Sequence, residues 1–355
     1  MKKNNSWWHT KITSQDKNLL VKTISKNKFT QGSVVTQVEK MLSKIFHKPA
    51  ILTPNGTTAI LMSLMSLNLK KNDEVLVANF GWIASLQPVL FLNLKFKLLD
   101  VSSDIPNINL DIIKKNVSKN TKAIIFVHFH GHMNNISEIS KFCKKKKIFL
   151  IEDSCKALLS KNVKGQIAGS FGDFGCFSTG MISLISSGYG GFIILNNKKF
   201  EKSLRLIKDH GCQRGVERYP VNGLNFKNSD ILSSLLINQI KNIKLKINKL
   251  KYIYNLYKKI DNPNIKILPY KKNEVPLCID LFSKKISKIK KTLNKNNIPF
   301  MCLHKPFHEA EFLKFKKKPS FSNSDKFYKN SLMLPCGPDQ NLKLIKKTIK
   351  ILNKI

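Results

Sequence analysis

Arginine is scarce in this strongly basic sequence of 355 residues. Only three of its 62 basic residues are arginines, the acidic residues number 22, and the formal net charge is +40. The lysines are spread along the chain, whereas nucleic-acid-binding proteins usually concentrate their basic residues on one face and use arginine for bidentate contacts. We therefore expect no specific nucleic-acid partner, and only weak, salt-sensitive attraction to polyanions.

Cysteine motifs and long apolar runs are also lacking. The seven cysteines are scattered and none forms a CxxC pair, which argues against a disulfide framework and against a zinc site. No apolar run approaches the roughly 18 residues that cross a membrane, and the first letters, MKKNNSWW, lack the apolar core of a signal peptide. We expect a cytoplasmic protein with reduced thiols, no metal site and no membrane insertion.

Apolar runs of strand length alternate with helical patterns between about residues 49 and 210. Hydrophobic residues make up 42% of the chain, which is enough for a large domain with a smaller partner. The alternation predicts an α/β fold with a mainly parallel sheet. Strands are predicted at 74–78, 96–101, 123–129, 148–152, 174–178 and 191–195, and helices at 136–147 and 199–208.

The pattern changes after residue 225. A long helix is predicted from about 230 to 260, and short strands mixed with lysine-rich amphipathic helices follow it. We therefore divide the chain into a large α/β domain with an N-terminal arm over 1–228, a connecting helix over 229–263 and a smaller α+β domain over 264–355.

Three segments that adjoin the predicted strands have the composition of a ligand site. The letters TPNGTTA at 53–59 precede an apolar helix, and the free amides at a helix start bind anions. Glu152 and Asp153 end an apolar strand, where a buried carboxylate needs a cation or a ligand. Glycines are dense at 169–175 and 188–191, which indicates that a ligand or another segment of the chain lies close to the backbone there. Ligands of open α/β sheets lie at the carboxyl ends of the strands, so these segments are expected to meet.

A series of short motifs follows one another along the chain. In order they are NGT at 55–57, NFGW at 79–82, VH at 127–128, IED at 151–153, GSFGD at 169–173, CFS at 176–178, GG at 190–191, GLNFK at 223–227, HKPFH at 304–308 and LP at 334–335. Their order and spacing resemble the DegT/StrS family of sugar aminotransferases over roughly residues 20 to 350. The resemblance implies the three-layer aspartate aminotransferase fold (fold type I) and the cofactor pyridoxal 5'-phosphate (PLP) or pyridoxamine 5'-phosphate (PMP). It also implies a nucleotide-linked sugar as substrate, in the biosynthesis of a surface polysaccharide such as lipopolysaccharide or capsule.

The resemblance implies which residues hold the phosphate of the cofactor. Gly56, Thr57 and Ser178 would bind it with amide and hydroxyl groups, and Asn225 would reach the phosphate in the neighbouring subunit. A homodimer is therefore expected, because Asn225 is useful only across a subunit interface.

Other residues are assigned to the cofactor ring and to the substrate. Trp82 would stack on the pyridine ring, and Asp153 would pair with the protonated ring nitrogen. All three arginines lie within fourteen residues, where a phosphate or carboxylate clamp would explain why lysine does not replace them. The residues expected at the substrate are Arg214, Arg218, His304 and His308.

The sequence departs from the family at the position of the catalytic lysine. Active members have a lysine five residues after the serine that corresponds to Ser178; it forms the Schiff base with the cofactor and moves a proton. Position 183 is serine here, and no lysine occurs between Lys164 and Lys198. The dehydratase branch of the family has a histidine there and binds PMP without a covalent bond, so Ser183 matches neither branch.

Two further substitutions fall near the expected position of the ring. Lys156 stands where the family usually has a glutamine near the phenolic oxygen, and Tyr189 stands where an acidic residue commonly precedes the glycine pair. An amine beside the phenolate would stabilise its charge, and a desolvated amine could act as nucleophile or base. The alternative is that Lys156 occupies a tolerant edge of the pocket.

These substitutions leave two hypotheses about function. In the first, the protein binds PLP or PMP noncovalently and acts on a nucleotide-linked keto sugar, with Lys156 as a candidate substitute for the lysine that Ser183 replaces. In the second, it is a noncatalytic relative that serves as a binding or partner subunit. Standard transamination is not expected, because covalent exchange and proton transfer both depend on the lysine.

Overall fold

The computed structural model describes residues 6–27, 29–315 and 319–355. Its main feature is a seven-stranded sheet in the order β1-β7-β6-β5-β4-β2-β3, in which β7 runs antiparallel to β1 and β6 and the other described pairs are parallel. The strands are β1 (Ala50–Thr53), β2 (Glu74–Ala78), β3 (Lys95–Leu99), β4 (Thr121–Val127), β5 (Phe149–Asp153), β6 (Phe174–Ser178) and β7 (Gly191–Leu195).

Helices pack on both faces of this sheet. Successive residues of the central strands alternate between two hydrophobic cores, with Leu76 and Ile124 in one and Val77 and Ile125 in the other. The resulting three-layer α/β arrangement confirms the predicted fold class. The helices of the chain are α1 (Ser14–Ile24), α2 (Ser33–Phe46), α3 (Gly56–Ser66), α4 (Gln87–Phe91), α5 (Leu110–Asn116), α6 (Ile136–Lys146), α7 (Glu201–Lys208), α8 (Asp230–Lys241), α9 (Ile243–Tyr257), α10 (Ile286–Lys295), α11 (Ser322–Asn330) and α12 (Leu342–Leu352).

A smaller antiparallel sheet forms in the C-terminal part of the chain, in the order β10-β11-β9-β8. Leu281 of this sheet, Ile289 of α10 and Ile345 of α12 are fully buried in the same core. The strands are β8 (Lys266–Ile267), β9 (Ile279–Phe282), β10 (Met301–Cys302) and β11 (Ser331–Leu334).

Several predicted bounds differ from the observed ones by one or two residues, as in β3, β5 and α7, and two of the differences have a visible cause. The segment expected to be one long helix is divided at Asn242, whose side-chain amide donates to the carbonyl of Asn238 at 3.0 Å and whose ψ of 14° interrupts the helix. Strand β4 ends at Val127 instead of 129, because residues 129–131 form a 3₁₀ turn. The proposed domain boundaries at 228 and 263 stay predictions.

Within residues 6–27, 29–315 and 319–355, no helix combines the length and the apolar character that a bilayer crossing requires. The longest helix, α9, has 15 residues, several of them lysines.

Candidate active site

A cavity of about 500 Å³ lies where several strands of the large sheet end. The segments that follow β1, β2, β4, β5 and β6 all contribute side chains to its wall, and residues of the smaller sheet close the other side. This is the edge of the sheet at which the sequence predicts a ligand site. The predicted residues that line it are Gly56, Thr57, Trp82, Asp153, Lys156, Ser178 and His304.

The start of α3 supplies an anion-binding group to the cavity. Asn55 caps this helix by accepting the amide of Thr58 at 2.8 Å, and the first intrahelical bond runs from the amide of Ala59 to the carbonyl of Asn55. The amides of Gly56 and Thr57 precede that bond, so they are available to an acceptor in the cavity. Asn55 also donates to the hydroxyl of Tyr189 at 2.6 Å, which links α3 to the turn before β7.

Gly56 lies too close to its neighbours for any side chain. A Cβ atom at this position would be 2.5 Å from Sγ of Cys155 and 3.2 Å from Cβ of Ser178. The ends of β5 and β6 thus press against the first residue of α3. Ser178 accepts the amide of Gly180 at 3.1 Å, and its hydroxyl remains beside the helix start.

Asp153 provides a buried carboxylate at the end of β5. Its Oδ2 accepts the hydroxyl of Ser85 at 2.5 Å, and its Oδ1 accepts the amide of Cys155 at 3.2 Å. The side chain is 7% exposed and lines the cavity. An acceptor held in this way is suited to a cationic N–H donor.

Trp82 and His304 form one wall of the cavity. The indole is 56% exposed, and the imidazole meets it edge-on with a centroid separation of 4.3 Å. Burial lowers the pKa of His304, and the nearby positive charges of His130 and Lys156 act in the same direction. The aromatic contact therefore involves a predominantly neutral imidazole at physiological pH.

Lys156 reaches the segment that carries Ser183. Its amine donates a short hydrogen bond to the carbonyl of Ile182, and burial lowers the pKa of this amine. Ser183 itself is 2% exposed and does not line the cavity, and its hydroxyl has no hydrogen-bond partner in the described part of the chain. Lys156 and the segment of Ser183, the position where the sequence predicts loss of the catalytic lysine, therefore adjoin each other, but of these two residues only Lys156 lines the cavity.

Besides Ser183, four predicted site residues do not line this cavity. Arg214 and Arg218 belong to the exposed stretch 213–220, and Arg214 is bidentate to Asp209, with its Nε 2.7 Å from Oδ2. Arg214, together with Lys227, holds the pKa of that carboxyl well below its usual range. Asn225 is also exposed, and His308 is buried elsewhere.

The side chain of His308 is held by Asn79. The amide of His308 donates to Oδ1 of Asn79 at 2.9 Å, so the Nδ2 of Asn79 donates to Nδ1 of the imidazole at 2.9 Å. The ring proton then lies on Nε2, which faces carboxylate oxygens of Glu309 at 3.4 Å and Asp325 at 3.5 Å. A metal ion would need this nitrogen without its proton, so the cluster does not have the character of a metal site.

The neighbouring carboxylate, Glu152, has a structural role. It accepts Nε2–H of His128 at 2.7 Å and the amides of Gly169, Phe171 and Gly172 at 2.6 to 2.9 Å. These bonds fix the glycine-rich segment against β5. His128 is thus the side chain that forms a hydrogen bond with this buried strand-end carboxylate.

Sequence reasoning missed several residues of the cavity wall. His130, Cys155, Cys278 and Met301 all line it. His130 could have been found, since it follows β4 at the same sheet edge in the letters VHFHGH. Cys278 and Met301 come from the small sheet, and no local pattern in the sequence indicates that they approach β4 and β5.

The fold agrees with comparisons to known proteins. The model of the DegT/DnrJ/EryC1/StrS aminotransferase family matches residues 10–353, and the chain belongs to this family. Over 369 residues it is 29% identical to the UDP-4-amino-4,6-dideoxy-N-acetyl-beta-L-altrosamine transaminase of Campylobacter jejuni, covering 98% of this chain and 97% of the relative. It is 32% identical over 197 residues to the GDP-4-keto-6-deoxy-D-mannose 3-dehydratase of Escherichia coli O55:H7, covering 54% and 50% of the two chains.

Solved structures share the fold over nearly the whole chain. Helicobacter pylori PseC, an aminotransferase involved in the biosynthesis of pseudoaminic acid, superposes with a TM-score of 0.92 at 22% identity, covering 99% of each chain. The E. coli GDP-4-keto-6-deoxy-D-mannose-3-dehydratase with bound hydrated PLP gives 0.90 at 22% identity, covering 98% of this chain and 99% of that one. At these identities the superpositions establish the aspartate aminotransferase-like fold.

Proposed function

We propose that the protein binds PLP or PMP without a covalent bond and acts on a nucleotide-linked keto sugar in surface polysaccharide biosynthesis. The observation that carries this proposal is the convergence of the α3 start, Ser178 and Asp153 on one cavity from which Ser183 is excluded. The family membership and the nucleotide-sugar enzymes among the relatives support the substrate class.

The residues of the cavity fit the two ends of the cofactor. Close packing of Gly56 against Cys155 and Ser178 keeps two helix amides and a hydroxyl together, which is the donor set that a phosphate requires. Asp153 offers a buried acceptor for the protonated pyridine nitrogen. When bound, the cofactor supplies an electron sink for carbanion chemistry.

The wall residues would hold and orient the bound groups. Trp82 has an exposed indole face to stack on the ring, and Ser85 fixes the carboxylate of Asp153. Lys156 would bring an amine to the ring edge, where its cationic form stabilises a phenolate. Arg214, Arg218 and Asn225 would act across the interface of a homodimer, because they lie outside their own chain's cavity.

The residue at position 183 supports noncovalent binding. A serine hydroxyl cannot form a Schiff base, and Ser183 is buried and does not line the cavity. The same observation favours a second candidate, a noncatalytic subunit that binds the cofactor or sugar without turnover. The relatives include a transaminase and a dehydratase, so the chemical outcome has to be measured.

The proposal is tested by turnover of a defined nucleotide sugar. Protein loaded with PMP is incubated with GDP-4-keto-6-deoxymannose or with its UDP-linked N-acetyl counterpart, and the sugar is analysed by mass spectrometry. We expect replacement or loss of an oxygen substituent on the sugar, and we expect Asp153→Ala to abolish it. Binding of PMP with an unchanged sugar would support the noncatalytic candidate; absence of PMP binding would overturn the cofactor assignment.

A further inference from the structure

His130 and Asp280 form a buried pair across the cavity wall. Nδ1–H of His130 donates to both oxygens of Asp280, at 2.8 and 3.0 Å, and the side chains are 12% and 0% exposed. His130 lies in the turn after β4, whereas Asp280 lies on β9 of the smaller sheet. The pair therefore joins the two sheets directly beside the cavity.

The backbone around His130 is held in an uncommon conformation. His130 has φ 48° and ψ 19°, in the left-handed region that non-glycine residues seldom occupy. The hydroxyl of Tyr270 donates to the carbonyls of His130 and Cys278, at 3.0 and 2.9 Å. A Cβ at Gly131 would lie 2.2 Å from the carbonyl oxygen of Val275, so the turn is pressed against the small-sheet segment. Such strain persists where the surroundings fix it, and it is common at functional sites.

The second nitrogen of the ring is available to the cavity. His130 lines the cavity wall, its ring stacks on Phe129 at 3.8 Å, and its Nε2 has no hydrogen-bond partner within the described ranges 6–27, 29–315 and 319–355. A histidine oriented by a buried carboxylate at one nitrogen, with the other nitrogen open, has the geometry of a general acid or base.

The charged groups around His130 tune its protonation. Burial lowers its pKa, but Asp280 and Cys278 on the small-sheet side outweigh burial, and the pKa ends above the ordinary histidine value. Lys156 opposes this rise from the end of β5, and His304 lies within electrostatic range. These surroundings therefore favour the cationic form of His130 more than water favours that of a free histidine.

We propose that His130 is the proton-transfer residue of this site and that Asp280 is its positioning residue. The inference rests on the proposed function and deepens it. Nε2 gives a proton to an oxygen of the molecule in the cavity and takes one back from a nitrogen or carbon of that molecule. The histidine thus returns to its initial protonation state. The step needs no oxidant or reductant, and Asp280 exchanges no proton with the bound molecule.

The other candidates for proton transfer are less suited. Ser183 is buried and does not line the cavity, and the amine of Lys156 already donates to the carbonyl of Ile182. His304 contacts Trp82 edge-on and has no carboxylate partner in the described part of the chain. His130 alone among these combines an open nitrogen with an orienting carboxylate.

The test combines ring NMR with turnover. Protein labelled with ¹⁵N-histidine is titrated without cofactor and with saturating PMP. We expect Nδ1 of His130 to stay protonated while Nε2 titrates, and we expect PMP to shift the Nε2 resonance. Asp280→Asn should lower the pKa of His130, since burial remains while the opposing carboxylate is lost. His130→Asn should retain PMP binding but reduce turnover of GDP-4-keto-6-deoxymannose by about 100-fold or more.

A matched control is provided by His47. It is exposed, has φ 53° and ψ 33°, and lies at the end of α2. His47→Asn therefore makes the same change in the same backbone conformation, and it should alter neither the His130 resonances nor turnover. If PMP bound without shifting the Nε2 resonance of His130, or if His130→Asn kept full turnover, the assignment of His130 would be wrong but the proposed function would stand. Failure of the wild type to bind PMP would overturn the proposed function and this assignment with it.

Discussion

Asp153 places a negative charge at the position that we propose for the pyridine nitrogen of the cofactor. Its two oxygens are held by Ser85 and by the amide of Cys155, so the carboxylate needs no rearrangement to bind a cationic N–H. Asp153→Asn removes the charge but keeps the shape. Because a hydrogen bond to a charged group contributes about 1.5 to 3 kcal/mol, we expect PLP to bind roughly 10- to 100-fold more weakly.

This prediction is measured by absorbance titration of the two proteins with PLP. Asp111→Asn is the control, because Asp111 is exposed in the first turn of α5 and lies outside the cavity. Equal affinities of wild type and Asp153→Asn would remove Asp153 from the cofactor site.

Lys156 makes stability depend on pH in a defined direction. Burial lowers the pKa of its amine in the folded protein, whereas the unfolded chain has the ordinary value of about 10.4. The unfolded state thus binds more protons between these values, and this contribution to stability rises with pH across that interval. Lys156→Met should therefore raise the melting temperature at pH 7, and its advantage over wild type should shrink towards pH 10.

Differential scanning calorimetry at several pH values measures this effect. Lys119→Met, at an exposed position, serves as the control and should show no such pH-dependent advantage. If Lys156→Met melted below wild type at every pH, the prediction would be wrong. The hydrogen bond from the Lys156 amine to the carbonyl of Ile182 would then stabilise the fold by more than burial of the charge destabilises it.

The residues of the cavity that could be predicted from the sequence are those next to the ends of predicted strands. Gly56, Ser178 and Asp153 each adjoin a strand end, so the parallel sheet alone brings them together. The sequence also predicted that Arg214 lies at the substrate, but in the structure Asp209 binds this arginine and it does not line the cavity. The sequence could not reveal the partner of His130, because Asp280 is 150 residues away in sequence.

At the scale of elements, the start of α3 depends on the close fit of three segments. Alanine is usually the better helix residue, but a Cβ at Gly56 would be 2.5 Å from Sγ of Cys155. Gly56→Ala should displace α3 from β5 and β6, and we expect about 10-fold weaker PLP binding because charge-assisted amide bonds to the phosphate are lost. The loss should be smaller for pyridoxal, which has no phosphate.

Fluorescence titration with PLP and pyridoxal measures both affinities. Adding Cys155→Ala to Gly56→Ala removes the closest clashing atom and should recover part of the PLP affinity, and Cys155→Ala alone is the matched control. Undiminished PLP binding by Gly56→Ala would show that the phosphate does not lie at the start of α3.

Element boundaries were harder to predict than element types. The apolar pattern over 230–260 is helical throughout, but the side chain of Asn242 competes for a backbone carbonyl and divides it into α8 and α9. Strand β4 was predicted to include residues 128 and 129, which are apolar or buried but serve the turn that carries His130. Burial alone does not distinguish a strand from a buried turn at the sheet edge.

At the scale of the whole molecule, the exposed apolar residues support the proposed homodimer. Met181, Tyr189, Val216, Tyr219 and Leu224 are 45% to 71% exposed, and they lie in the segments next to Ser183 and Asn225. A subunit interface over these segments would bury them and would bring Asn225 to a neighbouring cavity.

Subunit complementation tests this composite site. Asp153→Ala and Asn225→Ala should each be inactive as homodimers, but mixed dimers contain one site with both residues intact. Equal mixtures, after dissociation and reassociation, should recover about a quarter of wild-type turnover. Light scattering supplies the mass of the particles, and a stable monomer at micromolar concentration would contradict both the dimer and the shared site.

The central claim, a cofactor site without a covalent lysine, is tested most directly by borohydride reduction of the PLP-loaded protein. The wild type should bind PLP and PMP comparably in equilibrium dialysis and should gain no mass after reduction, whereas Ser183→Lys, the positive control, should gain one pyridoxyl phosphate group. A reduced adduct on the wild type that maps to Lys156 and disappears in Lys156→Ala would contradict noncovalent binding. Absence of binding of either cofactor form would contradict the assignment of Asp153, Trp82 and Ser178.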